Sequence, residues 1–135
     1  MALITEELKA KAKVCYGDEI CQEKSKSLLQ EVGLPRGLLT LKDIIECGHV
    51  EETGFVWLKQ KKKTEHRFEK YDPEITAYME KCKIRNLTGD KAKEILIWVG
   101  LNEISVDGQP TGELTCKGPM GFFRTFPTWA FELEE

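Results

Sequence analysis

Four apolar residues, Phe55-Val56-Trp57-Leu58, run without a break into a basic strip, Lys59-Gln60-Lys61-Lys62-Lys63. The β-branched and aromatic residues of the first half suit a pleated, half-buried surface. Side chains on a strand alternate between two faces. Phe55, Trp57, Lys59, Lys61 and Lys63 are therefore expected on one face, with Val56, Leu58, Gln60 and Lys62 on the other. One strand would start in the core and end in solvent as a positive ridge.

Before this strand the pattern is helical. Thr5 can cap a helix over Glu6–Ala12, whose first turn carries Glu6 and Glu7 where the helix dipole favours acids. Gly17 interrupts, and Asp18 is expected to cap a second helix. There Cys21, Ser25, Leu28, Leu29 and Val32 repeat at the spacing of one helix face. Gly33 suits a left-handed C-cap, and Pro35 prevents continuation.

After the connector Gly33–Leu39 the period changes to that of strands. Ile44–Val50 and Phe55–Lys63 read as strands joined by a turn at Glu51–Gly54. His66–Tyr71 follows, with Phe68 as an inward residue. Glu74–Ile84 reads as a strand and Asn86–Asp90 as a turn. Glu94–Val99 is apolar on both faces and is expected to be a central strand. Ile104–Val106, Glu113–Cys116 and Phe122–Phe126 complete the series, with turns at Asp107–Pro110 and Gly118–Gly121. Short strands at this spacing predict a mainly β fold, a small antiparallel β-barrel or sandwich-like domain with an N-terminal helical segment. The length of 135 residues indicates one compact unit. Residues 1–33 form the helical segment and 34–133 the barrel-like part.

The apolar fraction of 41% and charged fraction of 32% describe a globular chain. A net charge of −3 argues against a nucleic-acid-binding protein. Charge is uneven, however: Lys59, Lys61, Lys62, Lys63, Arg67 and Lys70 stand against Glu65 and Glu69 between residues 59 and 70. Cys15, Cys21, Cys47, Cys82 and Cys116 are odd in number and irregular in spacing, which fits reduced thiols better than a disulfide framework. No segment approaches the roughly 20 apolar residues of a membrane span. The N-terminus has no signal-peptide pattern, so an intracellular, cytoplasmic protein is expected, with any membrane association peripheral.

Several segments together resemble one family. Gly33-Leu34-Pro35-Arg36-Gly37-Leu38-Leu39, Thr53–Lys61, Leu87-Thr88-Gly89 and Arg124-Thr125-Phe126-Pro127 are similar, in order, to signature segments of the plant domain of unknown function 538 family. The absence of a signal peptide resembles its SVB-like, trichome-branching-related branch. The resemblance implies a plant source and a small β-rich, barrel-like domain with an N-terminal helical segment. It further implies a comparison with lipid-binding bactericidal/permeability-increasing proteins, and a suspected hydrolysis of chlorophyll esters. It supplies no catalytic residues.

The residues themselves offer little catalytic chemistry. Ser25, Ser27 and Ser105 are the serines, and none lies in a nucleophile elbow. Cys47 and His49 would share a strand face about 6–7 Å apart, a conceivable thiol–imidazole pair with no evident orienting acid. Glu46, Cys47, His49 and Glu51 are metal-ligand types without the paired spacing of zinc sites. Phosphate-loop fingerprints are absent. No catalytic residue, metal site or cofactor is assigned.

The basic strip is the remaining candidate. Lys59, Lys61, Lys62, Lys63 and Arg67 would give a positive field, with Trp57 and Phe55 either as an adjoining apolar wall or, the preferred reading, buried in the core. The expectation is a non-enzymatic binding protein for an acidic phospholipid, or another amphipathic or small hydrophobic ligand, at intracellular membranes. The alternatives are an ester hydrolase using Cys47 with His49 or His66, and an adaptor that binds a protein partner.

Overall fold

The computed structural model describes residues 4–39, 41–66, 69–94, 97–106 and 112–128. Two helices, α1 (Glu6–Lys11) and α2 (Asp18–Glu31), flank a short strand, β1 (Lys13–Tyr16). The strands β2 (Ile44–Val50), β3 (Phe55–Gln60), β4 (Thr64–His66), β5 (Glu69–Glu80) and β6 (Lys83–Glu94) follow. Then come β7 (Ile97–Gly100), β8 (Glu103–Val106), β9 (Glu113–Lys117) and β10 (Phe123–Pro127).

All pairings are antiparallel, in the order β1-β2-β3-β5-β6-β8-β9-β10. Two strands lie off this path: β4 pairs with β5, and β7 with β6. The mainly β expectation therefore holds, but the sheet is open and not a closed barrel. Its end strands β1 and β10 do not pair with each other among the described residues. The helix α2 packs on β1 and β2, and the connector joins it in the core. Leu29 of α2 and Leu34, Leu38, Leu39 and Leu41 join Ile75, Ile84, Ile104 and Leu114 in one buried cluster.

Local chemistry accounts for the helix boundaries. The Thr5 side chain accepts a hydrogen bond from the Leu8 amide at 3.1 Å, as an N-cap does. At the end of α2, the Gly33 amide donates to the Gln30 carbonyl and the Leu34 amide to Leu29. That is a Schellman closure, with Gly33 at φ +89°. Asp18 is the first helical residue rather than the cap, a position held by Gly17. Its Oδ1 instead accepts from the Ile44 amide at 2.9 Å, tying α2 to β2.

Further expectations need correction. Glu74–Ile84 is not one strand, because β5 ends at Glu80 and β6 begins at Lys83. The N-terminal segment is not wholly helical, because Lys13–Tyr16 pairs with Glu46–His49. Asn86–Asp90 is not a turn between strands but lies inside β6. Asn86 and Gly89 take positive φ there, and the β5–β6 register shifts nearby, so turn-type residues serve as bulges. A Cβ on Gly89 would stand 2.5 Å from the Glu74 carbonyl oxygen. Finally, Glu94–Val99 is not a central strand: Glu94 ends β6, Ile97 begins β7, and the two pair as a hairpin. Ile95, Leu96, Phe68 and the turn at 107–110 lie outside the described residues.

Candidate functional site

The Phe55–Lys63 segment divides into two environments. Trp57 is 0% exposed and packs with Phe55 and Val50 beneath Ile4, Leu8, Ala12 and Val14. Its indole occupies the space above Gly48, where a Cβ would come within 2.2 Å of the ring. The indole Nε1 donates to Glu46 Oε2 at 2.7 Å. Lys9 and Lys59 approach the same oxygen at 3.6 Å and 3.9 Å. Glu46 thus enters the interior with one neutral donor and two cations around it, which offsets the cost of burying its charge. Phe55 and Trp57 are consequently core residues and not a solvent-facing wall. Lys59 is engaged in the same cluster.

Past Gln60 the chain leaves the core. The Gln60 side chain is buried and holds the turn from within: Oε1 accepts from the Lys42 amide at 3.1 Å, and Nε2 donates to the Asp72 carbonyl at 3.0 Å. Lys61, Lys62 and Lys63 are exposed, and none forms an ion pair among the described residues. Arg67 lies outside the described residues.

The ground beside this turn is apolar. The Lys61 amide donates to the Asp43 carbonyl at 3.2 Å, and the Gly17 amide to the Ile45 carbonyl at 3.1 Å. These bonds bring the lysine turn, the start of β2 and the β1–α2 junction to one end of the sheet. Ile45 is the extra residue of a bulge, since Ile44 pairs with Gln60 and Glu46 with Lys59. Bulges re-aim side chains, and Ile45 is 48% exposed. Tyr16 and Ile20 are 62% and 51% exposed at the same junction. Lys42 adds a further exposed cation, while Glu19 and Asp43 are exposed acids nearby. Sequence reasoning missed Tyr16, Ile20 and Ile45. The bulge that exposes Ile45 has no Gly or Asn to announce it.

Of the hydrolytic candidates, the His66 side chain lies outside the described residues. Cys47 and His49 share a face of β2 as expected, but no hydrogen bond joins them among the described residues. Cys47 instead sits with Cys21 and Cys15, and burial pushes its thiol far up from the ordinary range, with the Cys21 thiol adding to the shift. A thiol held protonated is a poor nucleophile. Ser105 lies in β8 and pairs with Lys83 and Thr115, away from His49. The five cysteines are all free.

A second buried polar group lies at the start of β5. Glu69 and Asp90 are 4% and 1% exposed on adjacent strands, one diagonal step apart, since Tyr71 pairs with Asp90 and Glu69 with Ala92. The Tyr71 hydroxyl donates to Glu69 Oε1 at 3.0 Å. Glu69 Oε2 and both Asp90 oxygens have no well-formed hydrogen bond. Burial raises both carboxyls, and the Glu69 charge pushes Asp90 further, well above the usual range. Burial thus favours the protonated form of both carboxyls, Asp90 most strongly. Among the described residues no group of three His, Cys, Asp or Glu side chains is arranged to hold a metal ion. No helix among them is long and apolar enough to cross a membrane.

Comparison with known proteins adds the family. No curated protein and no solved structure matches the chain. A family model described as "Protein of unknown function, DUF538" matches residues 25–132. That span includes the second half of α2, the lysine turn and every strand from β2 to β10, so the chain belongs to the DUF538 family.

Proposed function

We propose that the chain is a non-enzymatic protein that docks on an anionic phospholipid surface through the Lys61–Lys63 turn. The observation that carries this reading is the side-by-side exposure of unpaired lysines and the bulged Ile45. A lysine near an anionic surface contributes about 1 kcal/mol. Three or four lysines alone therefore give weak, salt-sensitive attachment. Apolar side chains beside them add the second signal that reversible membrane proteins need. Ile45, Ile20 and Tyr16 supply it from the same end of the sheet. The neighbouring Glu19 and Asp43 limit attraction to surfaces dense in negative charge, which favours phosphoinositides over singly charged lipids.

Cytoplasmic faces of intracellular membranes are the proposed setting, and the five free cysteines support a reducing compartment. Co-sedimentation with vesicles tests the reading. Lys61→Glu, Lys62→Glu and Lys63→Glu together should abolish binding, and Ile45→Ser should weaken it several-fold. Retention of wild-type binding by the triple variant would refute it.

A further inference from the structure

We infer that the cleft between α2 and strands β1–β3 is a second binding site, for an uncharged amphipathic small molecule with a hydroxyl-bearing head. The cleft measures about 600 Å³, inside the roughly 300–1,000 Å³ range of small-molecule pockets. Its existence has a reason in the sequence. The inward row of α2 runs through Cys21, Ser25, Leu28 and Val32, so a small polar residue stands where a bulky one would fill the gap. The sheet opposite presents the small side chains of Cys15 and Cys47.

The lining separates into an apolar floor and a polar rim. Leu28, Val32, Leu39, Val56, Leu58 and Met79 provide the floor. At the rim Lys13 is bonded to Glu51 at 2.6 Å, and that bond raises the lysine and lowers the carboxyl from their usual ranges. Lys24 and Glu31 balance each other along the exposed edge of α2. The rim's lysines, Lys13 and Lys24, and its carboxylates, Glu31 and Glu51, balance in charge. A charged head would gain nothing from it and would compete with the Lys13–Glu51 pair.

Ser25 and Ser27, by contrast, have hydroxyls without a side-chain hydrogen bond among the described residues, and both line the cleft. They can donate to a hydroxyl or ester oxygen and accept from a hydroxyl. The chemistry therefore matches a molecule such as a monoacylglycerol, with its apolar body on the floor and its hydroxyls at the serines. This site is independent of the lysine turn.

The test is fluorescence titration of the purified protein with the neutral probe N-phenyl-1-naphthylamine. Displacement by monoolein and by oleate, each below its micelle concentration, then follows. Saturable probe binding with monoolein displacing at least tenfold better than oleate is expected. Ser25→Trp fills the cleft and should weaken probe binding at least tenfold, with a thermal unfolding transition as cooperative as the wild type. Val32→Trp, at a half-buried position of the floor, checks the result should Ser25→Trp fail to fold. The Lys61/Lys62/Lys63→Glu protein should bind the probe within twofold of wild type. No saturable binding, unchanged binding by a folded cleft-filling variant, or equal displacement by oleate would each overturn the inference.

Discussion

The two halves of Phe55–Lys63 treat charge in opposite ways. In the first half Trp57 and Glu46 are buried together, and Lys9 and Lys59 are drawn in to balance the carboxylate. In the second half Lys61, Lys62 and Lys63 are exposed and form no ion pair among the described residues. A basic strip read from sequence is thus one structural lysine followed by three free ones. Position on the strand, and not residue type, separates the lysine that stabilises the fold from those able to meet a partner.

Trp57→Ala offers the largest expected effect on this contrast. It empties a fully buried site and removes the donor to Glu46. A loss of about 3–5 kcal/mol, read by urea unfolding, is expected. A loss below about 1 kcal/mol would mean that the first half is not the core element described here.

Next comes the interior acid pair, whose carboxyls form no ion pair among the described residues. Glu69 and Asp90 are both raised in the folded state by burial. The folded protein therefore holds protons that the unfolded chain releases. Their contribution is fully present below the ordinary carboxylate range near pH ~4, and is lost as pH rises through the raised folded values. Stability should decline over that interval. Asp90→Asn should flatten the decline and stabilise the protein at pH 8, on the order of 1–3 kcal/mol. An identical pH profile for both proteins, measured by denaturant titration, would contradict the assignment.

Glu46→Gln sharpens the contrast further. It keeps an acceptor for Trp57 but leaves Lys9 and Lys59 without their counter-charge. A cost of roughly 1–2 kcal/mol is expected from chemical denaturation. Smallest in stability is the triple exchange of Lys61, Lys62 and Lys63 to Glu, within about 0.5 kcal/mol of wild type as exposed positions usually are.

Much of the fold was legible in the residues, for identifiable reasons. The Thr5 cap, the Gly33 closure and the strands β2 and β3 follow local rules that tertiary packing did not override. Gly54, at φ +82°, turns the chain between those two strands as its composition indicated. The long β5–β6 hairpin was hidden because its turn lies at Lys81-Cys82, with Cys82 at φ +58°. No Gly or Pro marks it. The real Gly-containing stretch, Asn86–Asp90, was spent inside a strand. Asp90 could not be read as a core residue because nothing local distinguishes it from a turn aspartate. The candidate site was half legible. Its lysines stood out, whereas its apolar partners come together only through the Lys61–Asp43 and Gly17–Ile45 hydrogen bonds, which join distant segments.

The most direct test is co-sedimentation of the wild-type and Lys61/Lys62/Lys63→Glu proteins with neutral, phosphatidylserine and phosphoinositide vesicles across a salt series. The account predicts salt-sensitive binding of the wild type to anionic vesicles, strongest for phosphoinositides, with none to neutral vesicles and none by the variant. Equal binding of both proteins, or no wild-type binding at low salt, would contradict it.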